Sequence, residues 1–585
     1  MKAYFALIKI DLKLALRQRS VIFFNYLFPL IFFFVFAQAF HAEQGGAITQ
    51  VVTMVAVIGI LGNGLFGAGV RAVQERENNI LRRYKVAPIS PAPLLVASMV
   101  TGLLTYLPYI VLMLLLAHFR YGMPFPRNVI SILLFATFGL IAFRAVGLTI
   151  ASVVNSMQES AILSQVLYMS MLFLSGASFP IAMFPKWLLT VTQFIPATYL
   201  VSGLQSIMLR RESLLQNAPA IGVLCLTTAV AMFVSVKLFR WEKEEKIKTS
   251  AKLWLVAVLA PFIAMGGWQA YSQQNVVKTK ILARELNRSR SVLIKNVRIF
   301  TGNDIVEKGA VLIREGKIAQ VFTGSWPDAK AVSAESVDAV GKTILPGLID
   351  VDVHLSKTGG IPTVTASEKG ILRELAAYLY SGVTAVASEG DPPYVFGKVQ
   401  ETVASGERLG ALVFRGRPSE GAHISELSVA EAVCGARLEG LLDRPLVQQA
   451  VPAKLLDSVR HRSVAPAICP DRRQGLLQAW NRGETLVAGS GAGTMFVLHG
   501  PTVQYELQLW VEAGIPNVVA LRGATVNAAK LLHVDNRMGS IRPGMDATLL
   551  VVEGNPLADI KALSIITSVF FKGERVGRSS IFDQD

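Results

Sequence analysis

The sequence predicts a polytopic α-helical membrane domain followed by a water-soluble mixed α/β domain. A mean hydropathy of +0.46, with 52% hydrophobic and 17% charged residues over 585 positions, is too apolar for an ordinary soluble protein. Long uncharged runs crowd the first 252 residues, whereas from about 291 onward the pattern is that of short strands and ordinary helices. Between the two lies Leu253 to Ser272, an uncharged run long enough to cross a bilayer as one helix.

Charge separates the halves in the same way. Of the net +16, residues 1–252 carry 22 Lys and Arg against 9 Asp and Glu, which leaves only +3 for the remainder. The basicity belongs to loops between hydrophobic runs, where it sets membrane orientation, and no basic stripe interleaved with aromatics is left for a nucleic acid. The three cysteines, Cys225, Cys434 and Cys469, lack the spacing of a zinc knuckle or a disulfide scaffold.

Taken in order, residues 1–20 place Lys2, Lys9, Lys13 and Arg17 opposite Phe5, Ile8, Leu12 and Leu16 at about helical spacing. That suits a helix on the inner leaflet or, more simply, a basic flank to the first span. Six hydrophobic runs follow, at 21–40, 47–70, 94–118, 129–154, 161–179 and 218–239. All are expected to span, with 253–272 a seventh, linking span. A cytoplasmic N-terminus places 16 cations inside and 5 outside, so the seventh span runs outward and residues 273–585 are expected outside the cytoplasm, in a multi-pass protein of the cell (inner) membrane.

Three stretches of this half are candidates for function. The loop from Arg71 mixes both charge signs with Ile80, Leu81 and Tyr84, and reads either as a solvated charged loop or as a short helix that docks on a soluble partner. Gly176, Pro180 and Pro185 break a hydrophobic stretch that continues uncharged, apart from Lys186, to Tyr199; freed backbone groups at membrane depth need protein or water, as a re-entrant pair at an outer mouth would give. Arg144 is a lone charge within the fourth run, either lining a pathway or snorkelling to the inner headgroups.

The loop Gln74-Glu-Arg-Glu-Asn-Asn-Ile-Leu-Arg-Arg with Pro88, the motif Leu174-Ser-Gly-Ala-Ser-Phe-Pro and the later Ile195-Pro-Ala-Thr-Tyr-Leu appear in this order. Residues 1–245 thereby resemble the type 2 permease (exporter) family of ABC transporters. The resemblance implies that Glu75, Arg76, Glu77, Leu81, Arg82 and Arg83 form the coupling helix on an ATPase subunit, and that Ser175, Gly176 and Pro180 belong to an outer gate. It also implies a homodimer or paired permease in the lipid bilayer. Gly341-Lys342-Thr343 lacks the upstream glycine of a P-loop, so the ATP belongs to a separate ABC ATPase chain.

Residues 246–290 read as a cytoplasmic linker, the seventh span and an outer linker. Beyond them, 291–345 and 538–575 alternate as strands and are expected to pair into a β-sandwich flanking a central region, 346–537. Ile344-Leu-Pro-Gly-Leu-Ile-Asp-Val-Asp-Val-His, Ser381-Gly-Val-Thr-Ala-Val, Ala488-Gly-Ser-Gly-Ala-Gly and Ala524-Thr-Val-Asn-Ala-Ala-Lys-Leu-Leu carry a resemblance, over about 290–575, to the imidazolonepropionase-like members of the amidohydrolase superfamily. That family implies a (β/α)8 barrel with metal at the strand ends, here degenerate. Its His-x-His is Asp352-Val-His354; its catalytic Thr-Asp-Ala-Gly is Ser490-Gly491-Ala492-Gly493; Leu438-Glu-Gly-Leu stands where Glu-His-Gly is expected. Asp352, His354 and His423 are the candidate ligands of a vestigial zinc, no catalytic residue is assigned, and no cofactor is required by the chain itself. Two functions follow as expectations: an exporter permease with an inactive outer domain, or a membrane-anchored metal-dependent amidohydrolase acting on a C–N bond outside the cytoplasm. A membrane scaffold without transport is a third, disfavoured by the coupling and gate motifs.

Overall fold

The computed structural model describes residues 2–17, 26–40, 47–85, 90–123, 125–126, 128–179, 184–245, 250, 253–272, 274–359, 365–416, 421–434, 441–461 and 472–584. The chain divides into two compact units, Met1–Leu286 and Asn287–Asp585.

The first unit is helical wherever it has regular structure. It begins with α1 (Lys2–Arg17) and α2 (Phe28–Ala39). Helix α3 (Ala47–Gly62) passes through a π-helical segment, Asn63–Val70, into α4 (Arg71–Glu77). Asn79, at φ +56°, turns the chain into α5 (Ile80–Lys85); asparagine tolerates the left-handed region better than most residues. The long helices α6 (Ala92–Tyr121) and α7 (Val129–Val153) follow, then α8 (Met157–Leu174). Two short helices, α9 (Lys186–Thr192) and α10 (Pro196–Leu209), precede α11 (Ala218–Lys237), α12 (Trp254–Ser272) and α13 (Gln274–Arg288).

Among the described residues, four helices are long and apolar enough to cross a membrane: 48–77, 92–121, 129–153 and 215–237. These take the second, third, fourth and sixth expected runs. The first, fifth and seventh runs are also largely helical where described, as α2, α8 and α12, with the fifth run leaving its helix at Leu174. The span of 48–77 lies 83% within protein and that of 215–237 only 33%, so α3 is the central helix and α11 a peripheral one. Around α3 pack Val51, Val55, Tyr106, Tyr109, Phe135, Leu140 and Leu200, all nearly inaccessible. The π-helical segment meets α7 backbone to backbone: a Cβ on Gly69 would sit 2.7 Å from the Gly147 carbonyl oxygen. Only glycines permit that approach.

The second unit holds an eight-stranded sheet whose main path runs β13-β12-β11-β5-β1-β2-β3, with β4 beside β1. Its strands are β1 (Val292–Phe300), β2 (Ile305–Arg314), β3 (Lys317–Thr323), β4 (Glu335–Asp338) and β5 (Lys342–Pro346), joined by β11 (Leu549–Glu553), β12 (Ile566–Phe571) and β13 (Glu574–Arg575). The two chain ends meet where β5 and β11 pair antiparallel, Leu345 opposite Leu550, forming one continuous sheet. Between them lie five parallel strands: β6 (Leu348–Val353), β7 (Val383–Ser388) and β8 (Leu412–Arg415) side by side, and β9 (Ala422–Ser425) beside β10 (Thr485–Ala488). Val353 bridges to Ala492, just past β10. A complete barrel has eight strands; the described part of 426–484 is helical apart from its turns and adds none to these five. Helices α14 (Glu368–Tyr380), α15 (Leu427–Cys434) and α16 (Thr502–Glu512) cover the strands, with Trp510 and Tyr378 fully buried among Leu375, Leu379 and Leu507.

Candidate functional site

The loop that leaves α3 is held at both ends. Arg76 is buried, and its guanidinium donates to the carbonyls of Ala151 at 2.8 Å and Val154 at 2.9 Å, the unsatisfied C-terminal carbonyls of α7. Arg240 donates to Val154 as well, and to Asn155 Oδ1 at 2.8 Å. Glu77 accepts from the Met157 N–H at 2.8 Å, the first free donor of α8. Ser156 caps the same helix, accepting from the Glu159 N–H at 3.1 Å, while Glu159 accepts from the Asn155 N–H at 2.8 Å. Glu75 pairs with Arg71 at 2.9 Å. Of the six residues expected to contact a partner, Arg76 and Leu81 therefore face inward, which limits the outward face to Gln74, Asn78, Asn79, Ile80, Arg82 and Arg83.

Arg144 is buried where α3, α6 and α7 meet. It donates to Asn63 Oδ1 and carbonyl at the start of the π-helical segment, and to the Ser98 carbonyl at 2.6 Å and hydroxyl at 3.0 Å. This is a shared polar clamp between three helices, with the guanidinium buried among protein acceptors. At the break after α8, Ser175 and Gly176 are buried, Gly176 at φ +88°, and Ser175 Oγ accepts from the Ala177 N–H at 3.3 Å. Pro180 lies outside the described residues. Freed carbonyls beyond it are met by side chains: Thr198 Oγ1 donates to Thr192 at 2.8 Å, Tyr199 to Gln193 at 2.5 Å, and Gln193 Nε2 to Leu189 at 2.8 Å.

In the second unit the strand ends gather carboxyls. Asp350 is fully buried and accepts from the Ser490 N–H at 2.9 Å and from its hydroxyl; burial outweighs these bonds and pushes its carboxyl up to about 7. Two residues on, Asp352 is pushed up to about 8 by burial and by the carboxyl of Glu426, with which it shares a hydrogen bond. His354 Nδ1 lies 3.2 Å from the Glu389 carbonyl. Glu506 of α16 is buried and accepts from the Leu427 N–H at 2.9 Å, the Ser428 N–H at 2.7 Å, the Ser425 hydroxyl and the Trp510 indole. It ties β9 and α15 to α16.

Residues 37–237 match the family model described as ABC-2 family transporter protein, and residues 458–576 match that of the amidohydrolase family. The chain joins an ABC-2 transporter membrane domain to an amidohydrolase-family domain. Curated relatives include dihydroorotase from Syntrophotalea carbinolica, 44% identical over 69 residues, and dihydroorotase from Bacillus cytotoxicus, 39% identical over 68 residues. Each match covers 12% of this chain, and the chain spans only 15% of the length of either relative. Among solved structures, a Xaa-Pro dipeptidase with methionine in its active site is 17% identical, covering 49% of this chain and 99% of that one, with a TM-score of 0.36.

The amidohydrolase-family domain does not assemble the metal set expected of it. Asp352 and His354 share one face of the chain leaving β6, but His423 does not join them. On β9, Ser425 points to Glu506, so His423, two residues earlier, shares that outward face and lies 4.0 Å from Glu484. Among the described residues no group of three His, Cys, Asp or Glu is placed to hold a metal ion. Gly491 is more than a deleted aspartate. Its φ is +62°, its N–H donates to the Asp352 carbonyl at 2.9 Å, and a Cβ there would overlap Val429 Cγ2. The Leu438 position lies outside the described residues. Asp350, Glu426 and Glu506 were not singled out in the sequence; the alternation Asp350-x-Asp352-x-His354 was the one available sign that several polar side chains share a strand face.

Proposed function

We propose that this fusion is the permease subunit of an exporter driven by a separate ABC ATPase, and that its outer domain does not hydrolyse amides. The observation that carries the first part is the loop of α4 and α5: Arg76 and Glu77 fix it to the ends of α7 and α8, so a push on Ile80, Arg82 or Arg83 is transmitted to two long helices. Membership of residues 37–237 in the ABC-2 family supports an ATPase partner. The positive-inside pattern supports a cytoplasmic N-terminus with 273–585 outside. Gly491 supports the second part, since glycine at the catalytic position supplies neither base nor ligand, and Asp352 spends its carboxyl on Glu426.

The test is purification of the full chain in mild detergent with mass spectrometry of what accompanies it, beside the double variant Arg82→Glu, Arg83→Glu. An ATPase that accompanies the native chain and is lost from the variant is the expected result. Retention by the variant overturns the docking assignment. Zinc-dependent cleavage of an amide or lactam by the native chain would overturn the inactivity of the outer domain.

A further inference from the structure

A pocket of about 320 Å³ opens in the second unit between α14 and the segment 450–458, and none of its lining residues belongs to a strand. Its walls are mostly apolar, with Ala377, Val451 and Leu455 prominent. Glu374 of α14 lines it, and its Oε2 is buried without accepting a hydrogen bond. The nearby His499 Nε2, at 3.6 Å, does not relieve this. The Tyr378 hydroxyl donates to His499 Nδ1 at 2.9 Å, so the ring proton sits on Nε2, which donates to the Lys357 carbonyl at 2.7 Å. Burial holds the Glu374 carboxyl well above its usual range and keeps His499 neutral, lowered to about 4.

Two cations line the same pocket. Arg373 donates to the Ala450 carbonyl at 3.2 Å and lies over the Phe582 ring at 4.8 Å, and Lys454 is exposed at the rim. A buried carboxyl oxygen left without a partner is unfavourable, and a charged ligand donor relieves it. A hydrocarbon would leave Glu374 unmet. A simple amine would leave Arg373 and Lys454 unmet and add a third positive charge beside them, and a simple anion would bring Glu374 no cationic donor.

We propose that this pocket binds a free amino acid with an apolar side chain, its ammonium on Glu374, its carboxylate toward Lys454 and Arg373, and its side chain against Ala377, Val451 and Leu455. The site requires no metal and does not depend on the export reading. The test is isothermal titration of the full chain in detergent with L-leucine, L-methionine and L-phenylalanine, each beside its N-acetyl and its amide derivative. At least one free amino acid gives saturable heat, and blocking either end weakens it at least about tenfold. Glu374→Gln, which keeps the shape, and Lys454→Ala, at the exposed rim, each weaken it by a similar factor while thermal unfolding shows both variants folded. No saturable heat from any free amino acid overturns the proposal. So does binding that survives in the amide and N-acetyl derivatives, or in folded Glu374→Gln.

Discussion

Burial and the carboxyl of Glu426 raise the Asp352 carboxyl above its usual range, and this has a measurable sign. In the unfolded chain the group ionises near 3.8, while in the folded domain it does so near 8. Between those values the folded state binds the extra proton, so stability falls as pH rises through that window and levels off above it. Thermal unfolding of the second unit within the full chain should therefore show a lower midpoint at pH 8 than at pH 5, and Asp352→Asn, which donates to Glu426 without a charge, should reduce the difference, with buried Asp350, Glu374 and Glu506 supplying what remains. An unchanged slope in the variant would place the titration elsewhere. Gly491 gives a second residue-level expectation. Asp there must adopt φ +62° and displace Val429, so Gly491→Asp should cost about 2 kcal/mol or more, and Val429→Ala should recover part of it. Neither variant should gain amide hydrolysis, since His423 remains on the other face.

Among the elements, α7 and α8 owe their facing ends to residues distant in sequence. The last carbonyls of α7 are met by Arg76 and Arg240, and the first N–H of α8 by Glu77. Truncating Arg76 to Ala removes two charged hydrogen bonds and strands the Ala151 carbonyl, while Val154 keeps Arg240, an expected loss of about 2–3 kcal/mol. Arg82→Ala, on the outward face, should cost well under 1 kcal/mol. Thermal unfolding in detergent distinguishes the two, and equal losses would contradict the inward and outward assignment. The loop's position between the second and third hydrophobic runs was legible in its charges. Which of its arginines turn inward was not, because that depends on where α7 ends, 75 residues away in sequence for Ala151.

At the scale of the molecule, hydropathy and strand alternation located both halves, and the pairing of β5 with β11 had a visible sign in the alternating ends of the second half. The helical character of the described part of 426–484 had none, since short apolar segments there suit helix and strand equally. Sidedness is open to direct measurement. With Cys225, Cys434 and Cys469 replaced by Ser, a cysteine placed at Ser325 should react with an impermeant maleimide in intact cells, whereas one at Asn78 should react only after lysis. The reverse pattern would invert the topology. The central helix adds a constraint of its own. A π-helical stretch winds its chain less tightly than the α-helix on either side, and each residue accommodated in this way corresponds to about 100° of rotation for everything downstream. The stretch Asn63–Val70 thus sets the angular phase at which Arg76 and Glu77 arrive beside α7 and α8. Shortening it by one residue would turn both side chains, together with the buried Val73, away from their present partners.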